Sequence, residues 1–483
     1  MVASSPGRPS SVPHVVVVGG GISGLAAAHA LLHPGAGDVG GYGGAVGGDG
    51  GDRNGEPIVT VTVREAQRQL GGKIRTSPFA GLPAVDEGPD AFLARVPWAT
   101  ALADRLGMMP DMTSPAVGAA AVWWDGLHRL PEGLLLGMPT DIVALARSKL
   151  ISWPGKVRAA TEVLRPRTSL DGDSIGAFVR ARFGDEVHER LVDPLVGSIY
   201  AADTDRFSLA AVVQIADLAA AHRSVLLAAR HRPAPPAGPV FHAPRLGMAQ
   251  FVSATADAVA ARGGVILADA PCTSLEPDGI GWRVDGEYAD AVVLACPAAQ
   301  AARLVPAGSA ADGLRSIGYA DVVIVTVAVP LTEWPERLHG LSGYLVPKPA
   351  QHLVTAVSFA SQKWAHWRTE KSMILRISLG RDGLPVMGLQ DDRLVDAAIA
   401  ETSEHLQVHL QPSEVRITRW ERAFPQYRPH HHDHVRRIAG ALPPTLVLAG
   451  ASYHGIGIPA CVRSGESAAT TVLAAVATAT RSP

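Results

Sequence analysis

The chain has 483 residues, 47% of them hydrophobic, too many for one ordinary domain and enough to enclose a large cofactor between two or three. Lys and Arg total 43 against 45 Asp and Glu, so the formal charge is -2 and no overall basic field exists to hold nucleic acid. The cysteines Cys272, Cys296 and Cys461 are far apart and lack zinc or disulfide-framework spacing, which predicts a reducing, cytoplasmic setting.

Residues 15 to 32 form a mostly apolar run, yet Gly19, Gly20, Gly21 and Gly24 make it a poor membrane span. Val15 to Val18 reads instead as a short parallel strand buried on both faces, and Leu25 to Leu32, rich in Ala and Leu, as the helix that follows. Residues 34 to 56 are Gly-rich with little to bury and predict a disordered surface insertion. The β-branched run Ile58 to Val63 resumes as a second strand, ending near Glu65.

From Pro97 to about Arg230 the pattern is helical. Within it Thr140 to Leu164 is amphipathic and carries Arg147, Lys149, Lys156 and Arg158, a pattern open to a peripheral membrane contact, a solvated helix face or a domain contact. Residues 231 to 240, HRPAPPAGPV, are a proline-rich breaker. Strand signals return at Gly264 to Leu267 and Asp290 to Pro297, and between 320 and 430 the runs DVVIVTVAV, HLVTAVSF, SMILRISLG and EVRITRW predict a mostly antiparallel sheet. Thr445 to Leu473 reads strand, glycine-rich turn and Ala-rich helix, so the chain returns to its opening domain.

Gly19, Gly21 and Gly24 have the GxGxxG spacing between strand and helix, where backbone amides can approach a pyrophosphate at the helix's positive end. Glu65, with Ala66 after it, stands where a carboxylate accepts hydrogen bonds from a ribose, its extra distance accounted for by the insertion. The alternative is a loop serving only tight packing, with Glu65 a solvated charge. Gly71 and Gly72 precede Lys73, Ile74 and Arg75, and a second glycine pair followed by cations separates an FAD site from an NAD site, unless both cations are merely solvated.

These residues are similar to the FAD motif of the amine-oxidase-like flavoproteins. Across nearly the whole chain the sequence resembles the flavin-dependent protoporphyrinogen and coproporphyrinogen oxidases of haem biosynthesis. The matching segments include VVVVGGGISGLAAA, GGKIRT, DEGPDAF at 86 to 92, LVDPLVGSIYAADTDRFSL at 191 to 209, DAVVLACPA at 290 to 298, GYLVPK, FPQY and the terminal LAGASYHGIGIPACVRSG. Two departures stand out: Gln69 occupies a position where the family commonly has Arg, and after PQY comes a histidine run, His430 to His434 without position 433, read as a solvated loop and not a metal site.

The resemblance implies an α/β fold: a Rossmann-like FAD-binding domain (1–92, 243–300, 440–483), a mixed α+β substrate domain (93–120, 301–439) and a mainly helical domain (121–242). It adds Ile22, Ser23, Gly88, Pro89, Cys272, Ala295, Gly450, Gly457, Ile458 and Val462 to the cofactor contacts, with Cys296 and Cys461 taken as packing residues. It offers Arg95 for a substrate propionate, Gly197 for close approach of a macrocycle, and Leu345 and Trp364 for stacking against it, each with core packing or solvation as the alternative. The implied chemistry is oxidation of coproporphyrinogen III, or alternatively protoporphyrinogen IX, in three two-electron steps by FAD, with molecular oxygen as final acceptor and hydrogen peroxide released. No protein nucleophile, base or metal is required. Transient contact with other haem-pathway enzymes would follow from such a place in metabolism. More distant alternatives are a flavin amine oxidase, a carotenoid desaturase or a non-catalytic FAD-binding protein.

Overall fold

The computed structural model describes residues 12–33, 58–230 and 238–481; the insertion at 34 to 56 and most of the proline-rich breaker lie outside them. Five parallel strands, β1 (His14–Val18), β2 (Thr60–Arg64), β3 (Val265–Leu267), β4 (Ala291–Leu294) and β5 (Leu446–Leu448), form a sheet of order β3-β2-β1-β4-β5. Val15 and Val17 face one side and Val16 and Val18 the other, and all four are buried, as an all-apolar central strand requires.

Helices α1 (Ile22–Leu32), α2 (Ala249–Ala261) and α3 (Ile458–Arg481) cover one face through Ala28, Leu31, Val259, Ala469 and Val472. A Cβ on Gly465 would lie 2.2 Å from the Ser23 carbonyl oxygen, so α3 crosses α1 at backbone distance. The other face is closed by a three-stranded antiparallel sheet (Leu275–Asp278, Gly281–Val284, Glu287–Ala289) and the helices Ala298–Leu304 and Ser309–Arg315.

The second lobe is a seven-stranded sheet in the order Glu414–Pro425, Tyr319–Pro330, Ser372–Leu379, Val354–Phe359, Gly343–Leu345, Ala120–Trp123 and Leu127–Arg129. Every pairing is antiparallel except that of Gly343–Leu345 with Ala120–Trp123. The pleat sends Val323, Val325, Val327 and Val329 toward the helix Asp391–Leu406. Thr326, Arg376 and Ser358, opposite one another in register, therefore occupy the face turned away from that helix. The last two strands extend past residue 120, where the sequence places the start of the helical domain. A short apolar AAVW run carries too little pattern to reveal a strand, although Asp125 and Gly126, both with positive φ, mark the hairpin turn.

The helices Ile142–Arg147, Trp153–Ala160, Ile175–Phe183, Asp193–Tyr200 and Val213–Ala221 gather around Phe178, Phe183, Leu191, Val196 and Phe207. The histidine run departs from the solvated loop expected of it. His431 opens the helix His431–Gly440, is only 4% exposed and stacks on Tyr427 with ring centroids 4.0 Å apart. Burial lowers its imidazole pKa to about 4, so it packs as a neutral ring.

Candidate functional site

At the end of β1 the chain turns at Gly19, whose φ of 115° favours glycine and whose Cβ would lie 2.8 Å from the Ala295 carbonyl oxygen. A Cβ on Gly24 would lie 1.9 Å from the Gly19 carbonyl oxygen, so α1 can start against the strand only without a side chain there. Gly21 has nothing within 4 Å of the corresponding point, which leaves the helix start open on that side. No side chain caps α1, no acidic residue occupies its first turn, and the amides of Ser23 and Gly24 have no hydrogen-bond partner among the described residues. The positive end of the helix is thus available to an anion.

Glu65, at the end of β2, is buried directly beneath this turn. Its carboxylate accepts hydrogen bonds from the backbone N–H of Gly20 at 2.7 Å and of Gln67 at 2.9 Å, while Ala66 is exposed beside it. The second glycine pair docks on the first: Gly71 N–H donates to the Gly20 carbonyl at 2.9 Å, and the nearest atom to a Cβ on Gly72 would be Gly21 Cα at 3.8 Å.

The sequence treats Lys73 and Arg75 alike, and the structure separates them. Arg75 is committed, 3.6 Å from Glu87 and stacked 5.1 Å from the Trp420 ring. Lys73 has no ion pair or hydrogen bond among the described residues; its ammonium lies 5.9 Å from the Tyr319 ring, and burial lowers its pKa. A half-buried, uncompensated cation beside an open helix start suits a bound anion. Ile74 lies in the core.

Residues 86 to 90 are held at both ends. Asp86 accepts from the Met248 N–H at 2.8 Å just before α2, and Asp90 lies 3.0 Å from Lys363 and 3.3 Å from Arg376. Although burial acts to raise it, the two cations hold the Asp90 carboxyl well below the usual carboxylate range. Arg376 also donates to the Gly88 carbonyl, and a Cβ on Gly88 would lie 2.3 Å from the Lys73 carbonyl oxygen, so Gly88 and Pro89 run tight along the lysine tract. Neither Asp90 nor Arg376 stands out in the sequence. The DEGPD segment points only to the loop, and the cations that hold Asp90 and Gly88, Lys363 and Arg376, lie more than 270 residues away.

The C-terminal glycines return to the same place. Gly450 N–H donates to Ser464 at 3.0 Å, and a Cβ there would lie 3.7 Å from the Ser23 hydroxyl and 3.9 Å from the Ala295 carbonyl. Gly457 is exposed at the start of α3, with Ile458 and Val462 buried behind it. The Cys461 thiol, assigned by sequence to packing, is directed at the Ile456 carbonyl at 3.7 Å, and burial pushes its pKa up. Cys272 lies half-buried beside Cys296 on the far side of the sheet, its thiol directed at the Ser274 carbonyl.

The residues expected at the substrate fare differently. Trp364 has no exposed surface; its ring lies in the core and its indole N–H donates to Asp90 at 2.9 Å, so it is a strut for the 86–90 loop in place of a stacking face. Gly197 makes room for the Arg381 guanidinium, 2.9 Å from where its Cβ would be, and that guanidinium grips Asp193 at 2.8 and 3.0 Å. Close approach does occur at Gly197, and the approaching group is a protein side chain. Leu345 is half-buried on the sheet face shared with Arg376, and Arg95 is exposed after the strand Phe92–Leu93.

Glycines that admit backbone contact, an open helix start, a strand-end carboxylate and a free lysine converge on one groove and fit a dinucleotide. Residues 22–473 match the family model for flavin-containing amine oxidoreductases, and the chain belongs to that family. The cofactor is accordingly a flavin, as FAD.

Within the family the chain is similar to coproporphyrinogen III oxidase of Mycobacterium tuberculosis, 34% identical over 95% of this chain and 97% of that one. It is also similar to coproporphyrinogen III oxidase of Propionibacterium freudenreichii, 31% identical over 99% and 94%. A crystal structure from Exiguobacterium sp. 255-15, described there as a proposed protoporphyrinogen oxidase, superimposes with a TM-score of 0.81 at 27% identity, covering 96% of this chain and 99% of that one.

Proposed function

We propose that the protein oxidises coproporphyrinogen III to coproporphyrin III as a step of haem biosynthesis. The reading is carried by the near-full-length similarity to coproporphyrinogen III oxidases. FAD, when bound, supplies the acceptor for hydride leaving a bridge carbon of the reduced macrocycle. The first-turn amides of α1 with Gly21 and Gly72 would hold the paired phosphates, Glu65 the ribose, and Lys73 with the start of α3 the flavin end. The loop 86–90, fixed by Asp86, Asp90 and Arg376, ties the flavin domain to the second lobe beside the residues that would hold that end. Molecular oxygen is the final acceptor in this reading and hydrogen peroxide the by-product, over three rounds per porphyrin. Arg95 is free to meet a propionate at the edge of the site.

The protein works in the cytoplasm in this reading, with a peripheral membrane contact through residues 140 to 164 and passing contacts with other haem-pathway enzymes. No helix among the described residues is long and apolar enough to cross a membrane. Trp153 and Leu164 are 73% and 76% exposed, close in sequence to the cations Arg147, Lys149 and Lys156, a pairing that suits an anionic lipid surface.

Purified protein loaded with FAD and supplied aerobically with either porphyrinogen should generate porphyrin fluorescence and peroxide, faster from coproporphyrinogen III. Faster turnover of protoporphyrinogen IX would reverse the substrate assignment, and turnover of neither would end it.

A further inference from the structure

The inner face of the seven-stranded sheet holds a site residue that neither the motifs nor the comparisons assign. Along the strand Ser372–Leu379, Arg376 reaches the Gly88 carbonyl and Asp90 of the flavin-side loop. Five residues on, Arg381 reaches Asp193 and Gly197 of the helical lobe. The stretch between them bridges the two lobes, and Ser378 is its inward-facing residue by the period of the pleat.

In register with Ser378 lie Ile324 on one neighbouring strand and Ala356 on the other, with Leu345 beyond Ala356. All four are half-buried, whereas Val325, Ile377, Val357 and Tyr344, which alternate with them, are buried against the opposite face. Half-exposure in the middle of a seven-stranded sheet means that this face opens onto a cleft. The row forms an apolar floor with one hydroxyl at its centre. That hydroxyl has no hydrogen-bond partner among the described residues, and one row nearer Arg376 the buried Ser358 hydroxyl also has none.

Resting on the porphyrinogen reading above, we propose that Ser378, supported by Ser358, is a positioning residue that hydrogen-bonds the central pyrrole nitrogens of the macrocycle. A porphyrinogen presents only N–H donors at its centre, whereas a porphyrin presents both N–H groups and bare imine nitrogens. A hydroxyl can accept from the first and donate to the second, which neither a carboxylate nor an ammonium can do. The apolar flanks Ile324, Ala356 and Leu345 meet the carbon framework around it. Carboxylate side chains of the substrate have no free cation on this floor, since Arg376 is held by Asp90 and Gly88, and are left toward the rim.

The test compares FAD-loaded wild type with Ser378→Ala and Ser378→Thr, measuring steady-state oxidation of coproporphyrinogen III, binding of coproporphyrin III by absorbance titration, flavin content and Tm. Ser378→Ala should lose roughly tenfold in kcat/KM and weaken porphyrin binding by a similar factor, the size expected for one hydrogen bond. Its flavin content and Tm should match wild type, because the hydroxyl has no partner among the described residues to lose, and Ser378→Thr should recover most of the loss. Unchanged kcat/KM and porphyrin affinity in Ser378→Ala would overturn the assignment, as would a loss that tracks flavin content. Wild type that turns over no porphyrinogen would sink the underlying functional reading, whereas active wild type with an indifferent Ser378→Ala sinks this inference alone.

Discussion

At position 24 a single methyl group decides whether the cofactor loop can form. The Cβ of an alanine would stand 1.9 Å from a backbone carbonyl oxygen at the end of β1, and neither backbone can yield without parting α1 from the sheet. Gly24→Ala should therefore yield protein that purifies without yellow colour and melts several degrees below wild type, whereas Gly21→Ala, with open space around it, should keep its Tm and lose flavin affinity only. Flavin absorbance and thermal melts of the two variants check this, and a yellow Gly24→Ala of normal Tm would contradict it. The glycine spacing was legible in the sequence because strand, turn and helix announce themselves locally. The division of labour between Lys73 and Arg75 was not, since it depends on Glu87 and Trp420, the latter more than 300 residues away. Trp364 shows the same limit: an aromatic in the right segment reads equally well as a stacking face or as core until its burial is known.

Among the elements, α2 is tied to the flavin-edge loop through a carboxyl group. Asp86 accepts the Met248 N–H, and burial raises its pKa to about 6. A raised carboxyl pKa means that the folded state favours the protonated form. The contribution to stability is fully present below the ordinary Asp value, is lost as pH rises through about 6, and amounts on the order of 3 kcal/mol at most. Asp86→Asn, which retains an acceptor without the charge, should gain on wild type in chemical denaturation as pH rises from 4 to 7.5. A difference between the two that stays constant over that window would contradict the assignment. The five parallel strands and the helices α1 and α3 were legible from composition and period, whereas α2, the three-stranded sheet 275–289 and the helices Ala298–Leu304 and Ser309–Arg315 were not. The strands Ala120–Trp123 and Leu127–Arg129 were not, for they are short and find their partner, Gly343–Leu345, only through long-range pairing. His431 was misread for a related reason: a run of histidines looks solvated until Tyr427 is found stacked against it.

Over the whole molecule, two lobes and a helical unit meet through shared apolar clusters reinforced by charged pairs: Asp90 with Lys363 and Arg376 on the flavin side, Asp193 with Arg381 on the helical side. Away from these contacts, the exposed Trp153 and Leu164 with their neighbouring cations predict salt-sensitive co-sedimentation with anionic vesicles, reduced by Trp153→Ala and absent with zwitterionic ones. No binding at low salt would remove the membrane contact from the account. The broad outline of this architecture followed from resemblance spread along the chain. The floor of the cleft did not, because it is a row across four strands that no single segment contains.

The most direct measurement is anaerobic titration of the FAD-loaded protein with coproporphyrinogen III, recorded in the visible spectrum. The flavin absorption should bleach stoichiometrically while porphyrin bands grow in, and admitting oxygen should restore the flavin and release peroxide. Flavin absorption that persists under excess coproporphyrinogen III and bleaches on addition of a simple amine would contradict the assignment.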